Sequence, residues 1–128
     1  MTATQPTTRT DQKSTLRLAW NAERDLARAA RTQGDLTAEW RHLERAHILS
    51  QPLAWSHLAT HAAMFAAAWR RRDGRELAGQ SIRLLLALPG SVSGRYPAGN
   101  TGGADVSAFK AMPVPADLRP LLTEEGPR

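Results

Sequence analysis

The chain has 128 residues, enough for one compact core and too few for two, and its lack of cysteine excludes a disulfide scaffold, a zinc ribbon, an iron–sulfur cluster and thiol catalysis. Apolar residues make up 41% of it but aromatic ones only 5%, so the core must be built mainly of Ala and Leu, a palette that suits helices. The net charge of +5 is carried almost wholly by arginine, with Lys13 and Lys110 the only lysines; these arginines are spread along the chain, and the clustered Arg70, Arg71 and Arg72 point about 100° apart on a helix, which gives no stripe for a nucleic-acid backbone.

Residues 1 to 13 are polar and have no apolar period, which predicts a disordered tail and no signal peptide. From Ser14, the residues Leu16, Trp20, Glu23, Ala27 and Ala30 recur at spacings of three and four, the period of an amphipathic helix over about 14–33 that ends at Gly34. Asp35 or Thr37 can cap a second helix, about 36–50, with Leu36, Trp40, Leu43, His47 and Ser50 on one stripe. Pro52 breaks the run and opens a third helix, 52–72, through Leu53, His57, His61, Met64 and Ala68. After the Asp73-Gly74 turn, a fourth helix over 75–88 turns Leu77, Ser81, Leu84 or Leu85, and Leu88 inward until Pro89-Gly90 stops it. No run of apolar residues is long enough to span a membrane, so the expected location is the cytoplasm.

The short connections make successive helices antiparallel neighbours. The expected fold is therefore all-α: a four-helix bundle, or two stacked helical hairpins, as a single domain over 14–122. A weak repeat at an offset of about 39 residues, seen in ARTQGDLTAEWRHLERA and WRRRDGRELAGQSIRLLLA, supports the hairpins but lacks the large residues of a tetratricopeptide unit. Residues 89–122 are rich in Gly and Pro yet carry Val92, Tyr96, Val106, Phe109, Met112, Val114, Leu118, Leu121 and Leu122, which predicts an ordered irregular wrap, with 123–128 as a tail.

Metal-ligand residue types interrupt the apolar stripes. His57 and His61 are i and i+4 and share a helix face. Glu44 and His47 form the Glu-x-x-His pair with which bundle-core metal proteins supply two ligands from one helix. Glu23 stands on the first helix's inner stripe, where a cation would offset the burial of its charge. Each has a plainer reading: structural core histidines, Glu44 paired with Arg41 or Arg45, and Glu23 in a salt bridge. Three of four histidines fall between Ala46 and His61, on two helices that the Pro52 turn sets side by side, whereas His42 lies on the other face. The expectation is a mononuclear divalent-metal site of His47, His57 and His61 with Glu44 or Glu23. Such a set accepts zinc, iron, manganese, nickel or copper; three imidazoles with an open position suit zinc, and two carboxylates favour iron or manganese.

In GRYPAGNTGG, glycines let backbone approach an anion, with Arg95 and Asn100 beside them, but the Lys-Ser/Thr of a phosphate loop is absent. The loop is either a tight turn or a cover over the open side of the histidine groove. In the second case Arg95 and Asn100 are the candidate catalytic residues facing a substrate anion. The stretch AEWRHLERAHILSQP, the two histidines that follow, GQSIRLL, the PxGNTGG loop and the Pro-x-Pro-x-Asp-Leu end together resemble a small bacterial family catalogued as a domain of unknown function, over about residues 15 to 122. That resemblance implies a short helical protein in which the histidine helices and the loop form one unit, His47, His57 and His61 beside Arg95, Asn100 and Thr101.

Function therefore reads as a small metal-dependent enzyme, of lyase, hydrolase or cyclase type, acting on an anionic or oxygenated organic substrate. The alternatives are a metal-handling or sensing protein without turnover and a helical-repeat interaction module with structural histidines. The expected partner is a small-molecule substrate, with neither nucleic acid nor membrane, and a homodimer is left open.

Overall fold

A computed structural model describes residues 8–122. The periodic segments form helices α1 (Arg9–Thr32), α2 (Leu36–Ser50), α3 (Ala54–Arg71) and α4 (Gly74–Ser93), followed by one short turn, α5 (Arg119–Leu122). No strand occurs among the described residues. Side chains that satisfy orphan backbone N–H groups set the starts: Asp35 accepts from the Ala38 amide and Asp73 from the Glu76 amide, each at 3.0 Å. Gly34, at φ 74°, lets the chain reverse between α1 and α2.

The helices pack as two hairpins, α1 on α2 and α3 on α4, joined across α2 and α3. This is an all-α helical bundle. One apolar cluster gathers Leu16, Ile48, Leu49, Leu53 and Leu118; a second gathers Ala27, Leu43, Met64 and Ala67. His47 falls between Leu43 and Ile48 along α2, and His57 and His61 fall between Leu53 and Met64 along α3, so the histidines are held where the two clusters meet. The Trp20 indole donates to Thr60 Oγ1 at 2.8 Å and ties α1 to α3.

Four sequence expectations are corrected. Residues 9–13 are not a tail but the first turns of α1, because Thr8 and Asp11 form a reciprocal capping box. The rest of the expected N-terminal tail, and residues 123–128, lie outside the described residues. The third helix begins at Ala54 rather than Pro52, with Leu53 as its cap. The fourth runs through Pro89 to Ser93 instead of stopping at Leu88. The bond that Pro89 removes lies on the outer face, where Leu85 is 79% exposed, while Ala87 and Ser91 beyond it are buried and hold the helix in place. Finally, α4 buries Gln80, Ala87 and Ser91, not a leucine stripe: Ser81 and Leu85 are exposed. The segment after Gly94 is irregular up to Pro115, and α5 packs against α1.

Candidate metal centre

His47, His57 and His61 converge. Their Nε2 atoms lie 3.0–3.1 Å apart, pair by pair, in a nearly equilateral triangle. All three side chains are buried. Each ring's other nitrogen has its own acceptor: His47 Nδ1 donates to the Asn100 carbonyl at 2.7 Å, His57 Nδ1 to Ser91 Oγ at 2.7 Å, and His61 Nδ1 to Gln80 Oε1 at 2.6 Å. These acceptors are themselves oriented. Ser91 Oγ donates its proton to the Gln51 carbonyl, and the Gln80 amide nitrogen donates to Glu76 Oε1 and to the Gly102 carbonyl, which turns Oε1 toward His61.

The tautomers follow from these partners. The ring protons sit on Nδ1, and three Nε2 lone pairs face one another with no hydrogen between them. Protonation cannot readily relieve this, because burial opposes a charged ring. It lowers His57 to about 3 and His61 to about 4, and it holds His47 well below 6.5. The positive charge of Arg83 lowers His47 and His61 further. Three converging neutral imidazoles with fixed Nδ1–H bonds form the arrangement in which histidines bind a metal, with outer hydrogen bonds setting each ring.

The two candidate carboxylates are elsewhere. Glu23 is buried, but its Oε1 accepts from Arg45 Nε at 2.8 Å and its Oε2 lies 2.7 Å from His42 Nδ1, so the salt-bridge reading holds and His42 stays outside the cluster. Glu44 is not in the histidine group. It hydrogen-bonds with Trp40 and faces Asp105 and Glu76. Burial, and then the Asp105 charge, raise its pKa above 4.5; the folded state thus holds its proton to higher pH than the unfolded chain, and ionised Glu44 subtracts from stability as pH rises through that range. Glu44→Gln is expected to raise the melting temperature at pH 7 by about 1–3 °C, read by calorimetry, and to leave metal affinity unchanged.

The GNTGG loop lies against the cluster through Asn100, whose carbonyl holds His47, and Gly102, whose position leaves no room for a side chain: a Cβ there would come 2.7–2.9 Å from the His47 ring. The Asn100 side chain is engaged within the loop. Its amide nitrogen donates to the Ser107 and Lys110 carbonyls and its oxygen accepts from the Gly102 amide. Asn100 therefore positions the loop through its side chain and the His47 ring through its carbonyl. Arg95 lines a cleft of about 380 Å³ whose wall includes all three histidines.

Sequence reasoning missed Gln80, Arg83 and Ser91 on α4. Gln80 and Ser91 hold two of the imidazoles, and Arg83 lines the same cleft. Their spacing with Ala87 (80, 83, 87, 91) is a helical stripe in its own right, hidden beside a louder run of leucines.

Fold and site together define a small all-α protein with a buried three-histidine cluster on the wall of a cleft. The chain belongs to the family described as protein of unknown function DUF3703, whose sequence pattern matches residues 14–122. No curated protein and no solved structure matches it. No helix among the described residues is long and apolar enough to cross a membrane.

Proposed function

We propose that the protein is a small metal-dependent enzyme whose mononuclear centre is held by His47, His57 and His61. The observation that carries this reading is the set of three Nε2 lone pairs, 3.0–3.1 Å apart, with every Nδ1 proton committed elsewhere. A divalent cation turns that repulsion into three bonds. With metal–nitrogen bonds of 2.0–2.1 Å, two ligand nitrogens stand about 2.9 Å apart on an octahedral face and about 3.3 Å apart in a tetrahedron, and the observed triangle lies between these limits. Because neither Glu23 nor Glu44 joins the set, zinc suits it before iron or manganese. Bound there, a divalent ion supplies Lewis acidity to a molecule in the cleft. The chain's own residues set the imidazoles, keep them neutral and wall the cleft.

The enzymatic reading is preferred to metal carriage or sensing because the ligands are few and buried: His47 and His61 are 3% and 2% exposed, poor access for rapid exchange of an ion between proteins. Tag-free protein should bind one zinc per chain by elemental analysis, and zinc at about a hundred times its dissociation constant should add about 3 kcal/mol, a rise of about 10 °C in melting temperature. His61→Gln should lose both effects. No stoichiometric metal, and no melting shift with zinc, iron, manganese, nickel or copper, would refute the centre. Prompt loss of the bound ion to a weak chelator would favour carriage over catalysis.

A further inference from the structure

The cleft carries an unbalanced charge. Arg83 and Arg95 line it beside three imidazoles held neutral, and no carboxylate is among its lining residues. Adding a divalent ion makes that wall more positive still. The acidic groups Glu76 and Asp105 raise the pKa of Arg83 only against a larger effect of burial, and Glu76 is already bonded to the Ala104 amide and to Gln80.

Arg83 also has unused bonding capacity. Its Nη2 donates to the Val106 carbonyl at 2.6 Å, which fixes the guanidinium plane, but its Nε–H is buried and is the one buried side-chain polar atom without a partner among the described residues. A buried N–H left unbonded is costly, and the flat guanidinium edge matches a carboxylate. Arg83 lines the same cleft as His47, His57 and His61, so a group bound to its guanidinium shares that cleft with the histidine triangle. The rest of the cleft is largely apolar: Ala87, Pro89, Tyr96 and Pro97 form walls, and Leu86 and Phe109 stand exposed at its margin.

We infer that the cleft binds an organic monocarboxylate with an apolar or aromatic body, its carboxylate taken by Arg83. This deepens the metal-centre reading and rests on it for the reacting end of the site. Arg83 is then the anion-binding residue, and Arg95, which is exposed, attracts the anion at the entrance.

The test is calorimetric titration of zinc-loaded protein with benzoate and with the neutral isostere benzamide. Benzoate should bind at least tenfold more tightly than benzamide. Arg83→Gln should weaken benzoate binding by tenfold or more while bound zinc per chain is unchanged, Arg83→Lys should restore part of the loss, and Arg41→Gln, the same change of charge on an exposed face of α2, should have no effect. Equal binding of the two probes, absence of benzoate binding, or unaltered affinity in Arg83→Gln overturns the inference. If the wild-type chain takes up no zinc, the metal centre fails, and the same titration of the metal-free protein still decides on Arg83: benzoate binding that depends on it sustains the anion site, and binding that does not removes it.

Discussion

Gly102→Ala is expected to weaken zinc binding by 10- to 100-fold or more and to destabilise the fold by about 2–5 kcal/mol. Two separate effects add. The residue sits at φ 82°, in the left-handed region that glycine occupies freely and alanine at a penalty of about 1–2 kcal/mol. The new Cβ would also stand 2.7 Å from His47 Cδ2 and 2.8 Å from Cγ. The ring cannot retreat without breaking its bond to the Asn100 carbonyl, and displacing it moves one of three ligand nitrogens out of the triangle. Overpacking of this kind adds about 1–3 kcal/mol. Gly34→Ala separates the two effects. It has a similar φ of 74° with nothing within 4 Å of the added carbon, so it should show the backbone part alone and keep full zinc affinity. Urea denaturation and competition with a chromophoric chelator measure the two quantities. Zinc affinity within twofold of wild type in Gly102→Ala would mean that the loop does not set His47.

The helices were legible because their apolar residues repeat at three and four and their ends carry Asp35, Asp73 and Gly34, local signals that need no tertiary knowledge. The inner stripe of α3, from Leu53 through His57, His61 and Met64 to Ala68, is buried throughout. Reasoning failed where a tertiary contact outweighed a local rule. Pro89 reads as a stop, and the helix passes it because Ser91 is bonded on both sides, to His57 and to Gln51. The leucines of α4 read as its inner face, but that face covers polar groups and is itself polar. Within the site, His47, His57 and His61 were legible from spacing and from their shared side of the Pro52 turn. The misplacement of Glu44 and Glu23 has a common cause: periodicity tells which face a carboxylate occupies, not whether Arg45 or Trp40 reaches it first. The T-x-x-D box at Thr8 was present in the sequence, though no apolar residue follows closely enough to mark a helix.

Metal-free protein is expected to unfold in mild acid, near pH 5, under conditions in which the zinc-loaded protein remains folded. The three imidazoles have folded-state pKa values depressed from 6.5, to about 3 for His57, about 4 for His61 and well below 6.5 for His47, so the unfolded chain takes up protons that the folded chain refuses. Stability therefore rises with pH across this window and is lost as pH falls below about 6.5; it levels off only near the folded values. Between pH 7 and pH 5 His57 and His61 each take away about 2 kcal/mol of stability, His47 acts in the same direction, and together they remove a large share of the stability of a small domain. The surroundings do not reverse the sign. No carboxylate hydrogen-bonds any of the three rings among the described residues, Arg83 opposes protonation of His47 and His61, and Glu76 and Asp105 act on Arg83 rather than on the rings. Glu44 works the other way, since its raised pKa makes the folded state the stronger proton binder, but it is a single, partly exposed group. Zinc has a different dependence. The same low folded-state values that make the empty site acid-sensitive keep protons from competing with the ion until the pH approaches 4, so zinc at a hundred times its dissociation constant still stabilises at pH 5 by about 3 kcal/mol. Urea midpoints at pH 7.5, 6 and 5, with and without zinc, read the effect, and His57→Gln should remove about a third of the acid sensitivity of the metal-free chain. A midpoint independent of pH between 7.5 and 5 would mean that the rings are not buried as neutral bases. The lone-pair triangle would then lose its chemical meaning.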